Sequence, residues 1–338
     1  MTLPSDFYSF RKFLVIQTAS IGDVVLSTPV IEKLHSFFPD AEIDFLLKKG
    51  NESLFDSHPF LHNVIVWNKT RNKYVRLFRL AAFIRGQKYD CVINIQRFAS
   101  SGLITAVSGA KFKTGFNKNP FSFFFTYRIK HLIGKDNRHE TERNLDLVRM
   151  ITDETSAPVK LYPDRNHFAR VAEFKKARFI TVSPASLWFT KQYPVEKWIE
   201  FANGVGEDVW IYYLGSESDR GLCDRVITGT VHKNSVSLAG KLGFLESAAL
   251  MKDAVMNFVN DSAPLHLASA VNASVTAIFC STVPEFGFGP MSENSFIVQT
   301  PFDLDCRPCG LHGFDACPKK HFKCAFSIDK TVLLNKIC

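Results

Sequence analysis

Short apolar runs alternate with helical patterns along almost the whole chain. Residues 12–17 (KFLVIQ) have the length and β-branched content of a buried strand. A polar loop, residues 18–23, separates them from a helical pattern over 24–38, in which Pro29 is expected to kink or end the first turn. Strands are expected at 42–47, 64–67, 91–95 and 113–116, with a basic amphipathic helix at 74–84 and a helix at 100–107. Residues 120–130 are aromatic without a period that assigns them, and 140–151 read as a helix. A second series begins after 152–164, a stretch with Pro158 and Pro163 that reads as a linker. Its strands are expected at 179–183, 209–214, 236–238, 255–259, 275–280 and 296–299, and its helices at 195–203, 219–227, 244–253, 265–271 and 331–337. Each series implies a doubly wound parallel sheet, so the expected architecture is two α/β domains facing across a cleft. The expected bounds are 1–155, 165–325 and a closing helical segment, 326–338.

Composition agrees with that picture and adds a charge asymmetry. A length of 338 residues suffices for two domains, and 32 Phe supply a large core. No apolar stretch reaches the 18 residues of a membrane span. Asp6, Arg11 and Lys12 precede an apolar run too short for a signal peptide, so a cytoplasmic protein is expected. The net charge of +8 lies in the first half: residues 1–160 hold 23 Lys+Arg and 15 Asp+Glu, whereas 161–338 hold 18 of each. Residues 67–138 alone carry 15 basic side chains against Asp90 and Asp136. Some of these are solvated helix surface, but so one-sided a stretch suits a phosphorylated substrate, an anionic membrane surface or nucleic acid.

Candidate chemistry sits where strands end. After the strand at 255–259 comes NDSAPLHLASA (260–270), a tight polar loop with Asp261, Ser262, Ala263 and His266 that opens a helix. At the carboxyl edge of an α/β sheet such a loop, with its helix N-terminus, suits a phosphate. Asp261 or Ser262 acting as a helix cap is the alternative. After the first strand, Ser20-Ile21-Gly22-Asp23 places a carboxylate that can accept a proton from an attacking hydroxyl, or cap the next helix. Gly22 there permits close backbone approach or positive φ. In the loop 183–194, Lys191 can neutralise a diphosphate, with Ser186 or Thr190 as hydrogen-bond donors. Gly240 and Glu217 end two further strands at the same expected edge, and Glu217 can hold a ribose. There is no Gly-x-Gly-x-x-Gly after any strand and no Walker A motif.

Taken in order, SIGDVVLSTPV, the Lys191 loop, Leu-Ala-Gly-Lys and Asp-Ser-Ala-Pro-Leu-His resemble glycosyltransferase family 9, the heptosyltransferases of lipopolysaccharide core synthesis, from Lys12 to Ile328. The resemblance implies a GT-B fold, with acceptor bound by the first domain and ADP-heptose by the second. It implies Asp23 as catalytic base, Ser186 and Lys191 as phosphate ligands, and Asp261, Ser262 and His266 as parts of the donor pocket, near Ala263, Gly240 and Glu217. Ala185 and Ala263 stand where the family usually has Gly, and Lys-Gln-Tyr-Pro where it usually has Lys-Arg-Trp-Pro. Arg71, Arg76 and Arg79 are expected to bind the anionic acceptor. The tail holds Cys306, Cys309, Cys317, His321 and Cys324. The spacing resembles a zinc knuckle, and a similar tail occurs in the branch resembling the second heptosyltransferase. Structural zinc, disulfides and free buried thiols are the three readings, with disulfides disfavoured in a reducing cytoplasm.

The expected activity is inverting transfer of heptose from ADP-heptose to a lipid A-linked, anionic core oligosaccharide. It needs no cofactor, and it is expected at the cytoplasmic face of the inner membrane through peripheral contact. A family 9 enzyme moving another sugar is the first rival. A non-catalytic nucleotide- or RNA-binding protein is the second, and residues 121–125 lack the stacking pattern of RNA binders, so no nucleic-acid partner is expected.

Overall fold

The computed structural model describes residues 7, 9–69 and 72–337. They form two compact units, Met1–Tyr162 and Pro163–Cys338.

In the first unit, β1 (Lys12–Gln17), β2 (Glu42–Lys48), β3 (Asn63–Trp67), β4 (Cys91–Asn94), β5 (Phe112–Phe116) and β6 (Tyr127–Ile129) build one sheet. Their order is β3-β2-β1-β4-β5-β6, parallel throughout. Central β1 is buried on both faces from Phe13 to Ile16, as covered parallel strands require. The helices are α1 (Ile21–Val25), α2 (Thr28–Phe37), α3 (Lys73–Gly86), α4 (Ala99–Val107) and α5 (Glu140–Leu145). Helix α3 turns Leu77, Ala81 and Ile84 inward, at i, i+4 and i+7, onto Trp67, Ile16 and Ile104.

The second unit holds α6 (Arg165–Arg170), β7 (Phe179–Ser183), α7 (Val195–Ala202), β8 (Trp210–Tyr213), α8 (Arg220–Gly229), β9 (Ser235–Ser237) and α9 (Phe244–Lys252). It continues with β10 (Asn257–Asn260), α10 (Ala263–Ala270), β11 (Val275–Phe279), β12 (Ser295–Gln299), α11 (Lys323–Phe326) and α12 (Lys330–Leu334). Its parallel sheet runs β12-β11-β10-β7-β8-β9. Both sheets therefore start in the middle, wind to one edge, and cross back to wind to the other. The crossing points lie between β1 and β4 and between β7 and β10, and loops at the carboxyl ends of those strands are where such sheets bind ligands.

Four expectations change. The helix over 24–38 is two helices, because Leu26 and Ser27 break the pattern and Pro29 stands in the first turn of α2. The helix over 140–151 ends at Leu145, after which Leu147 N and Val148 N bond carbonyls three residues back, at 3.2 and 3.0 Å. The stretch 152–162 is packed on the first unit: Lys33 Nζ reaches Asp153 and Thr155, Lys160 N donates to Thr28 Oγ1 at 3.0 Å, and Tyr162 bonds Glu32 at 2.9 Å. The segment 326–338 belongs to the second core, where Ile328 and Leu333 pack among Trp198, Phe201 and Phe258. Among the described residues no helix is long and apolar enough to cross a membrane.

Candidate active site

The loop after β7 and the loop after β10 meet at the second switch point. Asn260, the last residue of β10, joins them: its Nδ2 donates to Pro184 O at 2.8 Å and its Oδ1 accepts from Tyr193 N at 2.9 Å. Lys191 ends a short 3-10 turn, Phe189–Lys191, and its Nζ lies 2.6 Å from Asp261 Oδ2. The same carboxylate oxygen accepts from Thr282 Oγ1 at 2.6 Å. Both members of the ion pair are largely shielded, with side chains 16% and 8% exposed. Asp261 is thus spent on Lys191 and Thr282. The Ser262 side chain makes no capping bond either; its Oγ lies 3.4 Å from Ala185 O. The first turn of α10, beginning at Ala263, stands directly beyond the ion pair, and buried His266 follows on the same helix. Ser186 holds the partner loop, its carbonyl accepting from Gln192 Nε2 at 2.7 Å.

The back of this site is built by the tail. Thr190 N donates to Phe314 O at 3.0 Å, and Phe314 N donates to Thr190 Oγ1 at 2.8 Å. Ser281 Oγ bonds Thr190 Oγ1 at 3.0 Å, and Cys309 N bonds Ser281 O at 2.8 Å. Gly313, at φ +81°, fits because a β-carbon there would stand 2.9 Å from Thr190 Oγ1 and 3.1 Å from Lys191 Cγ. Arg307 fixes the loop after β11: Nε donates to Cys280 O at 2.8 Å, and one Nη to Thr282 O at 2.7 Å and Gln299 Oε1 at 2.8 Å.

In the first unit, Asp23 is the third residue of α1, and its Oδ2 accepts from Ser20 N at 3.3 Å and Ser20 Oγ at 2.5 Å. Ser20 holds the cap position, so Asp23 closes the box one turn in rather than capping. Gly22 lies inside α1 with helical backbone, so positive φ is not its role. Lys69 Nζ reaches over to this loop, donating to Thr18 O at 2.9 Å and Oγ1 at 3.0 Å. Burial, with Lys48 and Lys73 near, pulls the Lys69 ammonium down to about 8.

The structure therefore gathers Ser186, Lys191, Asp261, Ser262, Ala263 and His266. Glu217 and Gly240 form a separate pair after β8 and β9. Gly240 has φ +74°, a β-carbon on it would lie 2.1 Å from Glu217 Oε2, and Glu217 is paired with Arg220 at 2.6 Å. Arg76 and Arg79 are exposed on α3, and Arg71 lies outside the described residues.

The profile of glycosyltransferase family 9 (heptosyltransferase) matches residues 77–312. The chain belongs to this family. Among curated proteins, this family 9 glycosyltransferase is 27% identical over 295 residues to lipopolysaccharide heptosyltransferase 3 of Escherichia coli K12, covering 81% of this chain and 83% of that protein. Among solved structures it is similar to E. coli ADP-heptose lps heptosyltransferase II, with TM-score 0.79, 18% identity and 96% and 97% of the two chains covered. It is also similar to the E. coli heptosyltransferase WaaC with ADP, with TM-score 0.68, 17% identity and 96% of each chain covered. The fold is GT-B, two Rossmann-like doubly wound domains. The family rests on the profile match; relatives of several heptosyltransferase types match at these identities, which leaves the type open.

Sequence reading of this family 9 chain missed Thr282, Arg307 and Gly313, and it expected Thr190 to donate to a diphosphate, whereas buried Thr190 Oγ1 accepts from Phe314 N and bonds Ser281 Oγ. The polar pair Ser281-Thr282 at the end of a buried strand was the available signal. Arg307 was hidden inside a Cys-x-x-Cys spacing that drew attention to its sulfurs. Those sulfurs lie near one another: burial and the thiols of Cys309 and Cys317 push Cys324 up to about 11. Cys306 Sγ lies 3.8 Å from His321 Nε2. Among the described residues no group of three His, Cys, Asp or Glu side chains is arranged to hold one metal ion. The cysteines among the described residues are free thiols.

Proposed function

We propose that this glycosyltransferase moves a heptose, with inversion, from ADP-heptose to the inner core of a lipid A-linked acceptor. The observation that carries the donor side is the Lys191–Asp261 pair beside the N-terminus of α10, at the switch point of the second sheet. A cation and a helix N-terminus together suit a diphosphate. The relative solved with ADP and the one whose name carries ADP-heptose support the same donor. In the reaction, the Asp23 carboxylate takes the proton of an acceptor hydroxyl as that oxygen attacks the anomeric carbon. The bond from that carbon to the diphosphate oxygen breaks, and Lys191 with the first-turn N–H groups of α10 receives the charge that develops on ADP. Glu217, paired with Arg220 at 2.6 Å, is the proposed ribose ligand. Arg76 and Arg79 supply charge for the phosphates and acidic sugars of the acceptor.

One observation favours a second reading, a different nucleotide sugar. Ala263 opens α10, and its β-carbon stands where a glycine would let a phosphate approach closer. A mass-spectrometric assay with truncated core lipid and a panel of ADP, GDP and UDP sugars separates the two. Addition of one heptose from ADP-heptose is expected. Transfer from another donor alone selects the second reading, and no transfer from any of them overturns both.

A further inference from the structure

The first sheet ends, at its own crossing point, in a pair of uncharged side chains. Gln17 closes β1 and Gln96 follows β4. Ile95 N donates to Ile16 O at 3.0 Å, which sets the two glutamines side by side. They are only 4% and 5% exposed. Ala19 N donates to Gln17 Oε1 at 3.3 Å, which fixes that atom as the carbonyl oxygen. Gln96 Nε2 donates to the same oxygen. The pair therefore presents the amide nitrogen of Gln17 and the carbonyl oxygen of Gln96. Among the described residues nothing bonds Gln17 Nε2 or Gln96 Oε1, and neither atom is sealed from solvent.

The backbone around both glutamines is held in place. Gln96 N donates to Asn94 Oδ1 at 2.9 Å, and Asn94 Nδ2 donates to Thr105 Oγ1 of α4 at 2.9 Å. Asn119 Nδ2 donates to Gln96 O at 3.0 Å and Phe98 O at 3.1 Å. Gly102 of α4 leaves room for Asn119, since a β-carbon there would stand 1.9 Å from its Oδ1. On the Gln17 side, Asn51 Nδ2 donates to Ala19 O at 3.1 Å, and Lys69 Nζ donates to Thr18 O and Oγ1. Ala19 N and Ser20 N are consecutive donors of one loop, the first taken by Gln17 and the second by Asp23. The amide pair thus shares its loop with the proposed base. Side chains locked in this way by neighbouring hydrogen bonds select a ligand by complementarity. An N–H and a C=O offered together complement hydroxyl groups, which both accept and donate. A carboxylate only accepts, so it would leave Gln96 Oε1 unpaired and facing a like partial charge.

We propose that Gln17 and Gln96 are specificity residues for the acceptor, and that the sugar unit they bind is neutral and meets them through its hydroxyl groups. The inference rests on the proposed glycosyl transfer in calling that ligand the acceptor. It adds the class of the unit that lies beside the attacking hydroxyl; the acidic groups of the acceptor lie outside the pair. Lipid-free core oligosaccharides, one ending in a neutral heptose and one in a carboxylated ulosonic acid, test it by calorimetry without any donor. The neutral end is expected to bind at least about tenfold more tightly, the cost of leaving one buried polar group unpaired. Gln17→Glu keeps an oxygen for Ala19 N and Gln96 Nε2 but replaces the outward donor with an acceptor. It is expected to weaken the neutral oligosaccharide by at least about tenfold and to leave ADP affinity unchanged. Gln96→Met removes the other outward group and strands no donor, since Ala19 N keeps Gln17 Oε1. The same loss is expected there, at a melting temperature close to that of the parent. Equal binding of the two oligosaccharides, tighter binding of the acidic one, no binding of either, or full binding by either variant would each overturn the proposal. The expected discrimination without heptose transfer from ADP-heptose would overturn the proposed donor and leave this assignment standing.

Discussion

Lys191 Nζ and Asp261 Oδ2 stand 2.6 Å apart, on the loops that follow neighbouring strands β7 and β10. The pair locks two loops that chain connectivity leaves seventy residues apart. It also leaves the cation of the proposed diphosphate site already committed to a carboxylate, so donor binding must share or redirect that contact.

A double-mutant cycle separates structural from binding roles. Lys191→Ala strands a shielded carboxylate and is expected to cost roughly 3–5 kcal/mol of stability. Adding Asp261→Asn removes the stranded charge and should recover much of that loss in a denaturant titration. ADP affinity by calorimetry is expected to stay weak in the double variant. Recovery of ADP affinity together with stability would assign Lys191 a structural role alone.

Asp23→Asn tests the proposed base. Asparagine retains an oxygen to accept from Ser20 N, so folding is expected to be near normal. Turnover is expected to fall by ~10²–10⁴-fold, the contribution of a positioned general base. A rate within a few-fold of the parent would leave Asp23 as a helix-start residue.

His58 predicts a pH dependence of stability. Burial, with His35 adding to it, pulls the imidazole down to about 4. Its Nδ1 accepts from Phe60 N at 3.2 Å, Glu32 Oε1 lies 3.9 Å from Nε2, and Phe55, Phe60 and Tyr162 face the ring. The unfolded chain takes up this proton near about 6.5, so between the two values the unfolded state holds more protons. The contribution is present above the unfolded value and is lost as pH falls toward about 4. Glu32 is raised by burial and titrates in the opposite sense, so the comparison is made against His58→Gln. The variant is expected to show a shallower fall in unfolding free energy from pH 7 to 4; parallel curves would sink the assignment.

The tail thiols predict a metal content. If the tail holds structural zinc, protein made with zinc available is expected to carry about one equivalent; metal analysis showing none, with cysteines that titrate as reduced after unfolding, would leave free thiols as the account. About one equivalent that resists dialysis would show a four-ligand site closing around Cys306, Cys309, Cys317 and either Cys324 or His321.

The sequence by itself determined the two-sheet architecture, because strands buried on both faces are written as unbroken apolar runs. Lys12–Gln17 and Phe179–Ser183 fall where their hydrophobicity puts them. It also determined that Asp23, Lys191 and Asp261 end up at strand ends, since polar residues directly after such runs have nowhere else to go. Tertiary structure alone decided the rest. The strand β6 has only three residues and no period, and it exists because Thr114–Phe116 offers it an edge. The aromatic stretch that follows β5 faces water because Asn119, itself placed by Gly102, bonds three backbone groups of its neighbourhood. Arg307 and Thr282 reach the site through carbonyl and carboxylate bonds between segments distant in sequence. Such bonds leave no local pattern, since their energy depends on the distance between groups that only folding brings together.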